Sequence, residues 1–171
     1  QSIVSRNRDP SDRLVVSVTQ IHAGTTVNVI PETVFINGNV RTFSKEVQSM
    51  AFERMREIVA GQAASFGIEA RVEVDYGYPP TINDEAKASF AAEVAKEIAG
   101  ASAVDDRITP VMGAEDFSHM LEARAGAYLM LGQGETASVH NPKYNFDDDI
   151  APIGASFFAR LVERAQPAPG A

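Results

Sequence analysis

The chain has 171 residues, a formal net charge of −8 at pH 7, no cysteine and 44% hydrophobic residues. That length holds one domain or two small ones with enough apolar content for a core, and the acidic balance argues against nucleic acid as a partner. The lack of cysteine removes disulfides and thiolate chemistry, and no bilayer-length apolar run or signal peptide is visible. A reducing, cytoplasmic setting without a membrane partner is therefore expected.

In chain order, residues 1–12 begin like the end of a helix and dissolve into a polar turn around Pro10. Residues 13–21 read as a strand, with Leu14, Val16 and Val18 on one side and Ser17 and Thr19 on the other. Gly24 breaks it, and Pro31 precedes a second strand. There Val34, Ile36, Gly38 and Val40 share one face, and Asn37, Asn39 and Arg41 share the other. Ser44 suits a helix N-cap, with Glu46 placed against the dipole. Val47, Met50, Ala51, Met55, Ile58, Val59, Ala63 and Phe66 then recur at helical spacing, and Gly67 terminates the helix. Residues 69–76 alternate strictly between charged and apolar side chains, which predicts a further strand with one wet face. Strand, strand, helix, strand is a complete two-layer α+β module, and Gly77, Pro79 and Pro80 close it.

The second part differs. Asn83 or Asp84 caps a helix with Phe90, Val94 and Ile98 on one face, ended by Gly100. Residues 113–126 give a short helix with Phe117, Met120 and Leu121 inward. Residues 127–131, AYLML, read as a short strand buried on both faces, as in a parallel sheet. Residues 132–149 form a long polar loop. The last helix, around residues 153–165, buries Ile153, Phe157, Leu161 and Val162, and the tail beyond it is expected to be loose. One clear strand does not make a sheet, so this part is expected to complete a sheet whose other strands lie elsewhere, the alternative being a hidden strand near residues 108–112.

Six residues invite chemistry. His22, Asn28 and Arg41 are expected together at one end of the hairpin, where they suit an anionic or carbonyl-bearing ligand. Each also has an ordinary reading: a polar strand end, a side chain bonding its own turn, a surface charge on an edge strand. His140 lies in a loop beside Pro142, where a lone histidine is most often an exposed polar residue, though imidazole is the commonest metal ligand. Gly113 and Glu115 lie in MGAEDF, where Glu115 and Asp116 also serve as first-turn helix residues. GQGETA, at residues 132–137, imitates a dinucleotide-binding loop but leads into no helix, and no Gly-x-Ser-x-Gly occurs.

Two runs carry a resemblance. IHAGTTVNVIP followed by NGNVRTF, at residues 21–31 and 37–43, resembles the lid domain of the dinuclear-metal amidohydrolase/aminoacylase peptidase family, which includes hippurate hydrolases, N-acyl-amino-acid amidohydrolases and auxin-conjugate hydrolases. VHNPKYNFDDD, at residues 139–149, looks like that family's C-terminal metal-binding segment. MGAEDF is similar to its Gly-Gly-Glu-Asp-Phe turn, with Ala114 in place of the second glycine.

The resemblance implies an α+β lid, an antiparallel sheet covered by helices on one face in a ferredoxin-like two-layer arrangement. It also implies the C-terminal part of an α/β zinc-peptidase-like catalytic domain. Residues 1–12 would end that domain's first half, 13–80 form the lid and dimerisation domain, and 81–171 form the second half. The implied activity is cleavage of the amide of N-acyl amino acids or related peptides by metal-activated water, with two divalent ions (Zn, Mn, Co or Ni). In the implied roles, His140 ligates metal, and His22 bonds the substrate carbonyl and stabilises the oxyanion. Asn28 and Arg41 hold the substrate carboxylate, and Gly113 and Glu115 lie where a glycine turn approaches the substrate. A homodimer through the lid is also implied, its lid residues reaching the partner's active site.

A two-metal hydrolase needs more ligands than His140. None of the three histidines is followed by Asp two positions on, and no Glu-Glu pair occurs. With Gln1 as first residue, the chain is expected to be a fragment of a longer amidohydrolase, inactive alone. The rival expectation is a non-catalytic dimerisation or small-ligand-binding α+β module.

Overall fold

The computed structural model describes residues 1–166. The tail expected to be loose lies, from residue 167 on, outside them. The chain divides into two compact units, Gln1–Pro80 with Met112–Ala114, and Thr81–Val111 with the residues from Glu115 on.

The first unit starts with a π-helical turn, Ile3–Asn7. The polar turn after it is held by Asp9, whose carboxylate accepts from the Ser11 amide and hydroxyl. Strands β1 (Leu14–Ala23) and β2 (Val34–Thr42) form an antiparallel hairpin. The register slips between Val18 and Gln20, so Thr19 is an extra residue opposite Gly38 and Asn37. Gly38 is required there: a Cβ would stand 2.4 Å from the Ser17 carbonyl oxygen.

Helix α1 (Lys45–Phe66) begins where the sequence predicts. The Ser44 hydroxyl accepts from the Val47 amide at 3.2 Å and donates to Glu46 at 2.6 Å. Gly67, at φ 64°, ends it in the left-handed conformation, and the Ile68 amide closes on the Ala63 carbonyl. Ile3, Leu14, Val47 and Ala51 make the core, with Val16, Val40, Met50, Met55 and Ile58 packed against it. Phe66 is 75% exposed despite its periodic position, whereas Phe52, off that list, is buried edge-on against Tyr76. The helix covers the end of the hairpin where the chain enters β1. Val18, Ile21, Val34, Phe35 and Ile36, toward the connecting loop, stay exposed.

In the second unit, α2 (Glu85–Ala99) is capped by Asp84, which accepts from the Lys87 amide at 2.9 Å. Ala91, Ala92 and Val94 are buried. A short α3 (Phe117–Ala123) follows, and a 3-10 turn at Asp148–Ile150 leads into α4 (Ala151–Ala165), with proline in its first turn. Helices α2 and α4 are joined by Glu97, which receives Arg160 and Arg164. Met120, Ile153 and Val162, expected inside, are exposed, while Phe117, Phe157 and Leu161 are half-buried.

Two expected strands are unpaired here: residues 69–76, which is a correction, and residues 127–131, whose partner strands are expected elsewhere. Among the described residues the only ladder is β1–β2, so neither residues 69–76 nor residues 127–131 are paired. Alternation supplies a strand's side-chain pattern but not the neighbouring backbone that makes it one. In residues 71–74 the alternation survives as exposure, Val72 and Val74 being the more sheltered. The hidden strand near residues 108–112 is likewise absent from the described residues. Residues 127–131 are not buried on both faces: Met130 is 67% exposed. The observed class is α+β, a two-stranded antiparallel sheet with helices.

Candidate functional site

His22 is exposed near the end of β1, opposite Phe35, and the two rings stack at 6.2 Å with planes 24° apart. Asn28 lies in the exposed connecting loop, where its amide oxygen accepts from the Thr26 hydroxyl at 3.1 Å. Arg41 is opposite Val15, near the other end of the hairpin. The expectation that His22, Asn28 and Arg41 gather at one end is therefore corrected. An antiparallel register carries residues away from the loop on both strands, so Arg41 ends far from a histidine beside that loop.

Arg41 does meet another expected element. Its Nε donates to the Asn39 amide oxygen at 2.9 Å, and a terminal nitrogen donates to the Met112 carbonyl at 2.5 Å. Gly113 follows directly, with open space where a Cβ would stand. Among the described residues Ala114 is not at positive φ, so the alanine in this turn carries no strain.

Glu115 is held through its backbone. Its carbonyl accepts from the Ser118 amide at 3.1 Å and from the fully buried Ser118 hydroxyl at 2.5 Å. Burial first, and then the nearby Glu115 carboxylate and the Asp116 charge, raises the Tyr128 phenol above its ordinary value.

His140 is the only non-glycine residue among those described with positive φ, at 67°. It sits in a turn closed by the Asn141 amide on the Ser138 carbonyl, and a second turn follows from the Tyr144 amide to the Asn141 carbonyl. Histidine tolerates the left-handed region better than most residues, but the conformation still costs energy. The base of this loop is closed by Gln133, which donates to Thr136 and the Asn145 carbonyl and accepts from the Asp147 amide. The imidazole is exposed. Among the described residues no group of three or more His, Cys, Asp or Glu converges to hold a metal ion. His140 fits as one donor of a set, not as a site by itself, since such ions take three or four protein ligands.

The sequence reading missed Asn83, Gln133, Ser118 and Tyr128. Asn83 carried a signal. With Asp84 beside it as the cap, its amide was left for another use, and it pairs with the Tyr128 backbone as a peptide would. Gln133 was hidden in a loop rejected for cofactor binding.

These features belong to a known class. Residues 4–164 match the model of the peptidase family M20/M25/M40, and the chain is a member of that family. It is 35% identical over 162 residues to the hippurate hydrolase of Campylobacter jejuni, covering 95% of this chain and 42% of that enzyme. It is 35% identical over 164 residues to the N-acetyldiaminopimelate deacetylase of Streptococcus sanguinis, covering 95% of this chain and 43% of the relative. Among solved structures it is similar to a dinuclear metal-binding peptidase of Bacillus subtilis, with TM-score 0.76 and 31% identity, over 91% of this chain and 43% of that one. The chain thus spans about two fifths of the length of these relatives. The resemblance carried by the hairpin and the His140 loop is borne out at the level of the family.

Proposed function

We propose that this chain is the lid and second catalytic portion of a metal-dependent amidohydrolase acting on N-acyl amino acids or related peptides. By itself it does not complete the metal site. The observation that carries this reading is His140, a loop imidazole in strained backbone within a chain matching the family over residues 4–164. Strain of that kind clusters at functional sites. The names of the relatives, a hippurate hydrolase and a deacetylase, support the substrate class.

On this reading residues 13–80 form the ferredoxin-like lid, 81–171 the second catalytic half and 1–12 the end of the first. Bound divalent ions, Zn, Mn, Co or Ni, would supply Lewis-acid polarisation of the amide and an acidified water. The chain's own residues do the rest. His140 holds one ion through a ring nitrogen. His22 donates to the amide oxygen as negative charge develops on it. Arg41 takes the substrate carboxylate, a role for which the guanidinium fork suits the geometry, and Asn28, which lies with His22 at the loop end of the hairpin, contacts substrate on that side. The open space at Gly113 admits substrate beside the backbone, and Glu115 orients it. The exposed Ile21, Phe35 and Ile36 support a homodimer through the lid, and the absence of cysteine supports a cytoplasmic setting.

The test is a set of substitutions in a hydrolase carrying this segment and the remaining ligands. His140→Ala lowers bound metal measured by plasma mass spectrometry, His22→Ala lowers kcat with metal retained, and Arg41→Ala raises KM. The self-contained core of the first unit favours a second reading, a non-catalytic dimerisation or small-ligand module. Metal content unchanged in His140→Ala would select it.

A further inference from the structure

Gln133 stands at the entrance of the loop that carries His140 and commits its whole amide to closing it. The side-chain nitrogen donates to the Thr136 hydroxyl at 2.9 Å and to the Asn145 carbonyl at 3.0 Å, and the side-chain oxygen accepts from the Asp147 amide at 3.2 Å. Asp147 in turn caps the 3-10 turn that leads into α4, its carboxylate accepting from the Asp149 amide at 3.0 Å. Gln133 and Asp147 are half-buried, whereas of residues 134–146 all but Ala137 are exposed. Val139, next to His140, is 64% exposed. The loop thus has little apolar packing to hold its shape, and hydrogen bonds tie its base to the start of α4.

We propose that Gln133 is a positioning residue: its amide closes the base of the 134–146 loop and so holds His140 in its left-handed backbone. A side-chain amide suits the task because it carries two N–H donors and an acceptor oxygen on one rigid plane. Here both kinds of group are used, on one hydroxyl and two backbone groups. His140 at φ 67° is in a conformation that costs energy, and such a conformation persists only where its surroundings over-determine it. The two turns around His140, Ser138 to Asn141 and Asn141 to Tyr144, are exposed and local. Gln133 fixes the chain on both sides of them, which limits the backbone angles open to the residues between. The consequence for metal rests on the reading of His140 given above, whereas the positioning itself does not.

The experiment is NMR of this chain labelled with ¹⁵N and ¹³C. Circular dichroism shows that the helices persist, and His22, in the other unit, is the internal control. A residue at positive φ gives a strong Overhauser effect between its own amide and Hα protons, which wild-type His140 is expected to show. Gln133→Ala removes all three bonds and is expected to weaken that effect by about twofold or more, as His140 relaxes toward negative φ. It also lowers the backbone order of residues 134–146 and leaves His22 unchanged. Thr136→Val removes one bond, keeps the other two and does the same to a smaller extent. A His140 signal and loop order identical in wild type and Gln133→Ala overturn the proposal. Zinc affinity of a hydrolase carrying this segment and the remaining ligands, measured by competition with a chromophoric chelator, reads the metal role separately. There Gln133→Ala is expected to weaken zinc binding by about tenfold, the usual cost of losing a group that orients a ligand. Zinc affinity unchanged while the loop is loosened removes His140 from the metal set, and the NMR result still decides the positioning.

Discussion

His22 and Arg41 stand at opposite ends of one hairpin: His22 is opposite Phe35, and Arg41 lies six positions further along β2, opposite Val15. At the rise of a strand that separation is about 20 Å. Side chains so far apart, with no shared partner, do not couple energetically. The sum of the His22→Ala and Arg41→Ala effects on urea-induced unfolding should match the double variant within about 0.5 kcal/mol. A larger coupling would mean that the hairpin register in solution differs.

Gly38 and Gly61 make opposite predictions for the same substitution. At Gly38 a Cβ collides with the Ser17 carbonyl at 2.4 Å, so Gly38→Ala should cost about 1–3 kcal/mol as the bulge is forced apart. Gly61 lies within α1 with open space around it, so Gly61→Ala should stabilise by about 0.5–1 kcal/mol. Chemical denaturation of both variants checks the pair.

The left-handed backbone at His140 separates stability from ligation. Glycine accepts φ 67° without strain, so His140→Gly should hold or raise stability, by up to about 1 kcal/mol, while removing the imidazole. His140→Ala removes the imidazole and keeps the strain, so it should be the less stable of the two. Thermal unfolding of the two variants reads the difference.

Stability should fall at both ends of the pH scale, for reasons that meet at Lys96. The Lys96 hydrogen bond holds Asp106 below its ordinary value. A depressed carboxylate contributes stability that is present above its unfolded pKa and is lost as pH falls through the lower, folded one, below about pH 4. Glu46, bonded by the Ser44 hydroxyl, and Asp9, bonded by Ser11, act in the same direction. Lys96 itself is raised, first by Glu93 and then by Asp106. Its contribution is full below the unfolded lysine value and is lost as pH rises through the folded one, above about pH 10. Asp106→Asn should flatten the acid limb of a urea-midpoint profile and leave part of the alkaline limb, which Glu93 sustains.

Much of the helical structure was legible because its signals are local. Ser44, Asp84 and Gly67 mark helix ends through bonds within a few residues of themselves, and each does so in the structure. The two unpaired segments were not legible for the opposite reason. Residues 69–76 and 127–131 have strand patterns, yet pairing depends on a distant backbone that their own residues do not encode. The chemistry divides in the same way. His140 and the MGAEDF turn are contiguous motifs and stand out from the sequence. The Asn83–Tyr128 pair spans 45 residues and Arg41 to Met112 spans 71, so only coordinates bring them together.

The central claim, that this chain carries one ligand and a substrate-gripping hairpin but not a complete metal centre, is tested most directly by hydrolysis. Purified chain is incubated with hippurate and excess Mn²⁺ or Zn²⁺, and released glycine is measured against a protein-free control. No release above that control is expected. Glycine released by the wild-type chain and lost in His140→Ala would contradict the claim, since the ligands present would then suffice.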